Sequence, residues 1–337
     1  MTGASVQNHL ILGGAGFIGR HVALLLARAG HRVKLVVRKP PDFSFPEAVA
    51  QRITWEALDL TAVDWDRLVS GVDCIHHYFW SSIPASANAN PSGDLLVNVG
   101  ATLSLLDALK RQGHGRVVFT SSGGTVYGKL RRVPVTEEDP LAPITAYGAG
   151  KATAELYLRL YRTMHGLDCR LARVANPYGA GQDLSRGLGA VTTFLHHALT
   201  RQKIVIWGDG KAVRDYVHIS DVASCLVTLA CAPRCEADFV FNVGSGVGVS
   251  LNEIITEIET CLRRRLTVTR TETRPFDVPV SVLAIDRARR VLNWSPRLSF
   301  SEGIARTLAD LEAGQSFSTL DEWVASQRPL PPIDAPL

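Results

Sequence analysis

The sequence predicts an α/β fold in which a doubly wound parallel sheet is joined by a smaller, mixed α/β lobe towards the C-terminus. Short apolar runs recur through the first half of the chain, and stretches with the spacing of amphipathic helices separate them. The length of 337 residues is large for one compact core, which favours a second lobe.

The first predicted unit is a strand at residues 9–12, followed by a glycine-rich turn and a helix at residues 17–29. Because strands then alternate with helices, we expect the strands to run parallel and the helices to cover both faces of the sheet. The further strands are predicted at residues 33–37, 74–78, 117–120 and 169–175, and the helices at residues 95–109 and 153–164.

The regular alternation stops near residue 177. Glycine-rich segments and isolated strands follow, the strands at residues 239–243 and 266–269. We therefore predict a first domain at residues 1–177, a second lobe mainly at residues 178–324, from which some segments return to the first domain, and a proline-rich tail at residues 325–337.

The composition excludes several classes of protein. Apolar residues make up 46% of the chain and charged residues 20%, as in globular proteins that bury a substantial core. The net charge of +4 is small for this length, so a nucleic-acid partner is not expected. The polar residues 1–9 lead directly into a strand, so neither a signal peptide nor a membrane-spanning helix is predicted.

The six cysteines are scattered without paired CxxC spacing. Cys231 and Cys235 stand close together, but no second cluster of Cys or His follows them at zinc spacing, so no metal site is predicted. This cysteine usage and the polar N-terminal residues predict a cytoplasmic protein with reduced thiols.

Three glycines, Gly13, Gly16 and Gly19, are spaced by three residues directly after the first strand, and Phe17 and Ile18 open the helix. Glycines at such a turn allow a tight bend and let a pyrophosphate approach the helix N-terminus, whose free N–H groups and partial positive charge hold it. A plain turn can produce the same spacing, but the flanking strand and helix favour a dinucleotide site.

The spacing GxxGxxG resembles that of the extended short-chain dehydrogenases/reductases. The resemblance continues along almost the whole chain and points to the NAD-dependent epimerase/dehydratase family, most of all to its UDP-hexose 4-epimerases. It implies a Rossmann-like sheet that binds NAD in the first domain. Asp59 and Leu60 match the pair that contacts adenine in this family, while the ordinary alternative for Asp59 is a loop residue that caps a helix.

The end of the second predicted strand bears on the choice between NAD and NADP. Arg38 and Lys39 follow that strand, at the place where a carboxylate normally binds the ribose hydroxyls of NAD. Two cations complement the additional phosphate of NADP, and a guanidinium can bind it in bidentate fashion. NADP is therefore kept as an alternative to NAD, unless the two cations simply face solvent.

Tyr147 and Lys151 form the pattern YxxxK, and on a helix this spacing puts the phenol and the ammonium on one face. A free tyrosine has a pKa of about 10, so bringing it near 7 takes about 4 kcal/mol of preferential stabilisation of the phenolate. The resemblance implies that Tyr147 is the catalytic base, that Lys151 and the nicotinamide lower its pKa, and that both residues contact the cofactor.

A hydroxyl-bearing loop follows the fourth predicted strand. The string FTSSGGTVYG resembles the epimerase loop whose hydroxyl hydrogen-bonds the reacting sugar oxygen. Aligned from the strand, that hydroxyl belongs to Ser122; aligned from the VYG side, Thr125 is the alternative. Asn98 matches a family asparagine that orders the helix behind the lysine. The bulky residues 78–80 stand where the family usually has small ones, so we expect a narrowed pocket.

Further strings, most of them in the second lobe, resemble the substrate site of the same epimerases. Asn176 matches an asparagine that faces the substrate, and Trp207 and Arg214 match a base-binding strand and an arginine that meets the diphosphate. Arg274 and Asp277, in RPFD, match a pair that holds diphosphate and ribose. Two arginines embedded in such strings favour a diphosphate clamp over solvated loop residues.

These matches imply a nucleotide-sugar 4-epimerase that acts on a UDP-linked hexose through a transient 4-keto intermediate. Arg186 affects which sugar is expected. If it contacts a C5 carboxylate, the substrate is UDP-glucuronate, whereas if it faces solvent, the expected substrate is UDP-glucose or UDP-galactose. Dehydration is disfavoured, since Gly123 and Gly124 stand where dehydratases carry an acid pair. An NADPH-dependent reductase of a 4-keto nucleotide sugar and a non-catalytic nucleotide sensor are the alternatives. A homodimer with no membrane partner is expected.

Overall fold

The structure is a computed structural model that describes residues 6–187, 189–272 and 278–314. Its strands are β1 (Asn8–Leu12), β2 (Arg32–Val37), β3 (Ile53–Ala57), β4 (Cys74–His77), β5 (Arg116–Ser122), β6 (Asp168–Val174), β7 (Asn176–Tyr178), β8 (Ile204–Trp207), β9 (Val213–His218), β10 (Val240–Val243), β11 (Gly248–Ser250), β12 (Val268–Thr271) and β13 (Val280–Ser281). Its helices are α1 (Phe17–Arg28), α2 (Glu47–Ala50), α3 (Trp65–Val69), α4 (Pro84–Ala89), α5 (Pro91–Gln112), α6 (Ala146–His165), α7 (Ala190–Leu199), α8 (Ile219–Cys231), α9 (Leu251–Leu262), α10 (Asp286–Leu292) and α11 (Phe300–Glu312).

Seven of the described strands form one sheet in the order β10-β6-β5-β4-β1-β2-β3, and every neighbouring pair in it is parallel. The strand order reverses between β1 and β4, where Leu12 pairs with His77. Ligands of open α/β sheets bind outside the carboxyl ends of the strands at such a point. The predicted doubly wound parallel sheet is therefore confirmed.

Helices cover both faces of this sheet. α1 and α8 pack against each other on one face, and α3, α5 and α6 pack together on the other. Within β1, Ile11 belongs to the core under α1 and α8, whereas Leu10 and Leu12 belong to the core under α5 and α6. The central strands β1 and β5 are therefore buried along nearly their whole length, on both faces.

A smaller body lies towards the C-terminus. Its central strand is β9, which pairs in parallel with β7 and β13 and antiparallel with β11, while β8 and β12 form a separate parallel pair. Helices α7, α9 and α11 contribute Leu195, Ile254 and Ile304 to its apolar core. The predicted smaller, mixed lobe is therefore confirmed. Among the described helices, none is both long and apolar enough to cross a bilayer.

The elements differ from the sequence expectation at several places. The sequence does not predict β3, which forms the edge of the large sheet beside β2. α6 begins at Ala146, well before the expected start, because the Thr145 hydroxyl accepts a hydrogen bond from the Gly148 N–H at 3.1 Å. α8 and β10, which follow residue 178, are segments that return to the large sheet, where Val240 pairs with Leu171.

Candidate active site

The glycine turn after β1 is held against the end of β2. The N–H groups of Gly13 and Gly14 donate to the Val36 carbonyl at 3.1 and 3.2 Å. Gly13 has a φ of +81°, which an L side chain rarely adopts, and a Cβ at Gly19 would lie 2.5 Å from the Gly13 carbonyl oxygen. The turn and the start of α1 therefore fit together only without side chains at these positions.

The N-terminus of α1 is open to a ligand. Gly16 is the N-cap, Phe17 is the first helical residue, and no described side chain caps the N–H groups of this turn. No acidic residue stands in the first turn either. Free N–H groups and the positive end of the helix dipole are what a pyrophosphate requires, so the residues fit the predicted dinucleotide. Ile18 lies within this same turn.

Two further candidates for cofactor binding follow neighbouring strand ends. Arg38 is exposed directly after β2. Asp59 is exposed shortly after β3 and accepts hydrogen bonds from the Thr61 N–H at 2.9 Å and from its hydroxyl at 2.7 Å, which hold the pKa of Asp59 below its usual value. Leu60 is buried in the core beside α3 and α5. The Asp59 carboxylate thus closes a local turn rather than capping a helix, since Asp64 is the N-cap of α3, and it stays open to solvent.

Tyr147 and Lys151 lie on one face of α6, within its first two turns. The Lys151 ammonium is buried and donates to the Thr120 carbonyl of β5 at 2.8 Å, and its nitrogen is 6.0 Å from the centroid of the Tyr147 ring. Burial lowers the pKa of Lys151 to about 7, although attraction by Glu155 and Asp94 opposes this. The pair is therefore assembled as the YxxxK spacing predicted.

The Lys151 ammonium is surrounded by aromatic rings. It lies 4.0 Å from the centroid of Trp80 and 4.7 Å from that of Phe119. Trp80 lies three residues after the end of β4, and its ring also contacts the Tyr147 ring, with centroids 6.1 Å apart. The sequence reasoning noticed the bulk of residues 78–80 but not this contact. A sequence signal does exist: Trp80 comes shortly after the carboxyl end of β4, and β4 is the neighbour of β5, the strand that precedes α6.

The hydroxyl-bearing loop lies directly against the start of α6. Ser122 ends β5, and its carbonyl accepts from the Thr125 N–H at 3.1 Å. A Cβ at Gly148 would lie 2.8 Å from the Thr125 carbonyl, so α6 can approach this loop only with glycine there. Both candidate hydroxyls, Ser122 and Thr125, are consequently placed at the carboxyl edge of the sheet, on the loop beside Tyr147.

The second lobe brings Asn176 and Arg214 to the same region. Asn176 begins β7 and donates from Nδ2 to the Asp215 carbonyl of β9 at 3.0 Å, and a Cβ at Gly124 would lie 3.9 Å from its amide. Arg214 lies on β9, where its guanidinium donates to the Val213 carbonyl at 2.8 Å. Asn176 therefore joins the second lobe to the hydroxyl-bearing loop.

The remaining substrate candidates are only partly placed. Trp207 ends β8 and is 46% exposed. The backbone of Arg186 belongs to a 3-10 turn at Leu184–Arg186, but its side chain is not among the parts described. Arg274 and Asp277 lie outside the described residues, as does the predicted tail.

Asn98 is completely buried on α5. Its side-chain oxygen accepts from the Ser81 N–H at 2.7 Å, and its amide donates to the Asp94 carboxylate at 2.8 Å. Asn98 thereby fixes the segment after Trp80, rather than α6 itself. The side chain is enclosed, so Asn98 is not an ordinary helix-surface asparagine.

A buried histidine group lies inside the sheet, towards the amino ends of β1 and β4. The potential metal-ligand atoms of His9, Cys74 and His76 lie within 4.8 Å of one another. His9 Nδ1 is hydrogen-bonded to His76 Nε2 at 2.9 Å, and His76 Nδ1 to the Tyr78 hydroxyl at 2.7 Å. Burial lowers the pKa of His9 to about 2 and that of His76 to about 3, so both rings are neutral. Three of their four ring nitrogens are used in hydrogen bonds to each other and to Tyr78, and His9 Nε2 has no hydrogen-bond partner among the described residues.

Comparison with known proteins places the chain among sugar-nucleotide enzymes. Residues 9–244 match the model of a family described as the NAD dependent epimerase/dehydratase family. The chain is 33% identical over 305 residues to a UDP-glucose 4-epimerase of Mycolicibacterium smegmatis, covering 89% of this chain and 96% of that protein. It is 30% identical over 314 residues to a dTDP-4-dehydro-6-deoxyglucose reductase of Escherichia coli, covering 90% and 96%. A Thermotoga maritima UDP-glucose 4-epimerase, solved with UDP-glucose, superposes with a TM-score of 0.83 at 28% identity, covering 91% and 99%.

Proposed function

Because the chain belongs to the NAD dependent epimerase/dehydratase family, we propose that it is an NAD-dependent 4-epimerase of UDP-linked hexoses. The observation that carries this proposal is the position of Tyr147 and Lys151 in the first turns of α6, against the hydroxyl-bearing loop and at the carboxyl edge of the sheet. The cofactor is NAD, in agreement with the family.

The chain's own residues supply the proton transfers. Tyr147, as phenolate, removes the proton from the sugar 4-hydroxyl, and Lys151 stabilises the phenolate by its charge. Ser122, or Thr125 in its place, hydrogen-bonds the reacting oxygen. NAD, when bound, supplies the acceptor and later the donor of the hydride of C4. The 4-keto sugar then turns and regains its proton from Tyr147 with the opposite configuration, so the net oxidation is zero.

The second lobe would hold the nucleotide while the sugar turns. Arg214 and, by its sequence match, Arg274 form the diphosphate clamp, with Asp277 on the ribose and Trp207 beside the base. Asn176 faces the sugar from its place next to the hydroxyl-bearing loop. Strong contacts to the diphosphate and weak contacts to the sugar permit the rotation that epimerisation needs.

The test supplies the purified protein with UDP-glucose, UDP-galactose or UDP-glucuronate, without added reductant, and follows the configuration at C4 by NMR. Interconversion of at least one C4 pair is expected. Tyr147→Phe is the matched control, because it lacks only the phenolic oxygen. Failure with all three nucleotide sugars by a protein that retains NAD would overturn the proposal. UDP-glucuronate as the preferred substrate would assign Arg186 to the C5 carboxylate.

A reductase of a 4-keto nucleotide sugar is the second candidate. It is favoured by the exposed Arg38 and Lys39 after β2 and by the similarity to the Escherichia coli reductase. The two functions differ in what happens to the cofactor. A reductase oxidises NADPH in proportion to a 4-keto nucleotide sugar and releases the product cofactor, whereas the epimerase keeps NAD bound. Identifying the nucleotide that copurifies with the protein, and its redox state, separates them.

A homodimer is supported by the outer face of α5 and α6. Leu156, Leu160 and Met164 recur every four residues along α6 and are 61%, 43% and 64% exposed, and Leu96 on α5 is 73% exposed. A row of large apolar side chains on two adjacent helices fits a second copy of the same helix pair. Light scattering should report a dimer for the parent and a monomer for Leu156→Glu. Val247→Glu, at a site 60% exposed in the second lobe, is the control expected to remain dimeric.

A cytoplasmic location is supported by the cysteines. All six are free, and Cys74, Cys169 and Cys225 are buried in the core. Titration of the denatured protein, purified without reductant, should count six thiols. A lower count would indicate disulfides and an oxidising compartment.

A further inference from the structure

The indole of Trp80 contacts the catalytic face of α6 at three positions. It covers the Lys151 ammonium at 4.0 Å, and its ring meets that of Tyr147 at an interplanar angle of 70°. At the third position, Gly150, a Cβ would lie 3.1 Å from Trp80 Cζ2. One side chain from the end of β4 therefore touches three of the five residues of the YxxxK segment.

Gly150 and Trp80 are complementary in shape. A Cβ at Gly150 would also lie 3.1 Å from Asp94 Oδ2, so a side chain there is confined between the carboxylate and the indole. Asp94 is itself held by the Asn98 amide and by the Ser82 hydroxyl, so the ring of Trp80 is the freer of the two neighbours. A larger residue at position 150 would accordingly displace the indole from Lys151.

We infer that Trp80 is a positioning residue for Tyr147 and Lys151, which keeps water from the ammonium and holds it between the Thr120 carbonyl and the phenol. An aromatic face attracts a cation, which offsets part of the cost of removing the ammonium from water. A charge in a dry site acts more strongly on a neighbouring phenolate than a hydrated one. The indole thereby increases the effect of Lys151 on Tyr147. This inference rests on the proposed function of the pair.

The test compares Trp80→Leu, which keeps apolar bulk but removes the aromatic face, with Trp80→Phe, which keeps a ring. Trp80→Leu should lower kcat about tenfold, leave KM within about twofold, and shift the ascending limb of the kcat–pH profile upward by about one pH unit. Trp80→Phe should recover most of both losses. Trp55→Leu, at a tryptophan 51% exposed on β3, is the matched control and should leave the profile unchanged.

A second readout needs no substrate. Ultraviolet difference titration of the phenolate, corrected with Tyr147→Phe, should show that Tyr147 ionises at higher pH in Trp80→Leu than in the parent. Either of two results would overturn the positioning role. One is an unchanged phenolate titration in a folded Trp80→Leu variant. The other is an equal loss of kcat in Trp80→Phe and Trp80→Leu with no shift of the kcat–pH profile. A parent that interconverts no nucleotide sugar but shows the titration shift would instead overturn only the proposed function.

Gly150→Ser supplies an independent check. The added side chain should displace the indole and reproduce the kcat loss and the pH shift of Trp80→Leu. In the double variant the two kcat losses should combine to less than their product, because both act through one contact. Fully multiplicative losses would overturn the inference. Thermal unfolding of each variant confirms that the comparison is made between folded proteins.

Discussion

The ammonium of Lys151 is buried, where removing a charge from water is costly and where that charge acts strongly on neighbouring groups. It donates a hydrogen bond to the Thr120 carbonyl, and the centroids of the Trp80 and Phe119 rings lie 4.0 and 4.7 Å from its nitrogen. Burial lowers its pKa to about 7, and Glu155 and Asp94 keep it from falling further. In the proposed mechanism, proton transfer by Tyr147 therefore depends on a cation that the fold keeps from water.

Replacing Tyr147 by Phe tests the base directly. NAD binding should be nearly unchanged, because the ring is kept, while turnover should fall on the order of a hundredfold or more, since proton transfer loses its base. Steady-state kinetics and the content of bound NAD measure the two effects. Turnover that survives the change would remove Tyr147 from the mechanism.

Arg214 is predicted to act on binding rather than on chemistry. A charge-assisted contact to the diphosphate is made alike in the ground and transition states and is worth roughly 1.5–3 kcal/mol, so Arg214→Ala should raise KM about tenfold or more and lower kcat much less. Lys211→Ala is the nearby control, at a residue whose side chain is 81% exposed. Competition by UDP measures the affinity without turnover. A variant that binds UDP as well as the parent would refute the clamp.

At the scale of elements, α6 is tied to the sheet behind it by a buried ion pair. Arg173 of β6 contacts the Glu155 carboxylate at 2.7 Å, and both side chains are almost completely buried. Arg173 also donates to the Tyr127 hydroxyl at 2.8 Å, and that hydroxyl donates to Asn242 of β10 at 2.7 Å. The helix that carries Tyr147 is thereby connected to two strands of the large sheet.

Removing one partner of this pair should be costly. Glu155→Ala leaves a buried arginine without its carboxylate, so the free energy of unfolding should fall by about 3–5 kcal/mol. Asp66→Ala, which breaks the exposed pair with Arg111, should change it by less than about 1 kcal/mol. Urea denaturation measures both. A loss at Glu155 no larger than that at Asp66 would contradict the structural role assigned to the pair.

The elements also show where sequence reasoning is strong and where it stops. The glycine turn and the YxxxK pair are predictable because their chemistry requires fixed residue types at fixed spacing. β3 carries little apolar signal, since the strand lies at the sheet edge and its Glu56 is paired with Lys34 and Arg67. The start of α6 is obscured by Gly148, a weak helix former that is needed for close approach to the loop after β5.

The sequence shows a tryptophan near this strand end, but it does not fix the contact of Trp80 with Lys151. The contact depends on the register between β4 and β5 and on the angle at which α6 crosses them, both of which arise from packing over the whole sheet. The assignment of Ser122 or Thr125 likewise depends on how a loop with one extra residue closes. Single and double variants of Ser122 and Thr125 can decide which of the two hydroxyls is catalytic, which sequence alignment leaves open.

At the scale of the whole molecule, buried neutral histidines make the fold sensitive to acid. Burial lowers the pKa of His9 to about 2 and those of His76, His77 and His218 to about 3, from an ordinary value of 6.5. Below pH 6.5 the unfolded chain binds protons that the folded chain excludes, so stability is fully present above that pH and is lost as the pH falls. Asp221, whose pKa burial raises to about 6, offsets part of the loss.

Each of these histidines should contribute about 1.4 kcal/mol per pH unit to the slope of the unfolding free energy below pH 6.5. Urea denaturation between pH 7.5 and 5.5 measures the slope. His77→Asn should reduce the slope by the contribution of one histidine, about 1.4 kcal/mol per pH unit. His114→Asn, at an exposed residue, should leave the slope unchanged. A parent slope close to zero over this interval would contradict the assignment of neutral rings.

The late position of β10 in the chain has a consequence for synthesis on the ribosome. β10 completes the large sheet beside β6, but α7, β8, β9 and α8 are translated between the two strands. Translation proceeds at roughly 5–20 residues per second, so the outer edge of β6, with Leu171 and Val174, stays unpaired for several seconds until its partner strand and its covering helix have been synthesised. An unpaired, apolar strand edge is a template for pairing with other chains. Chaperones should therefore bind nascent chains that contain β6 but not yet β10, and they should release these chains when β10 emerges.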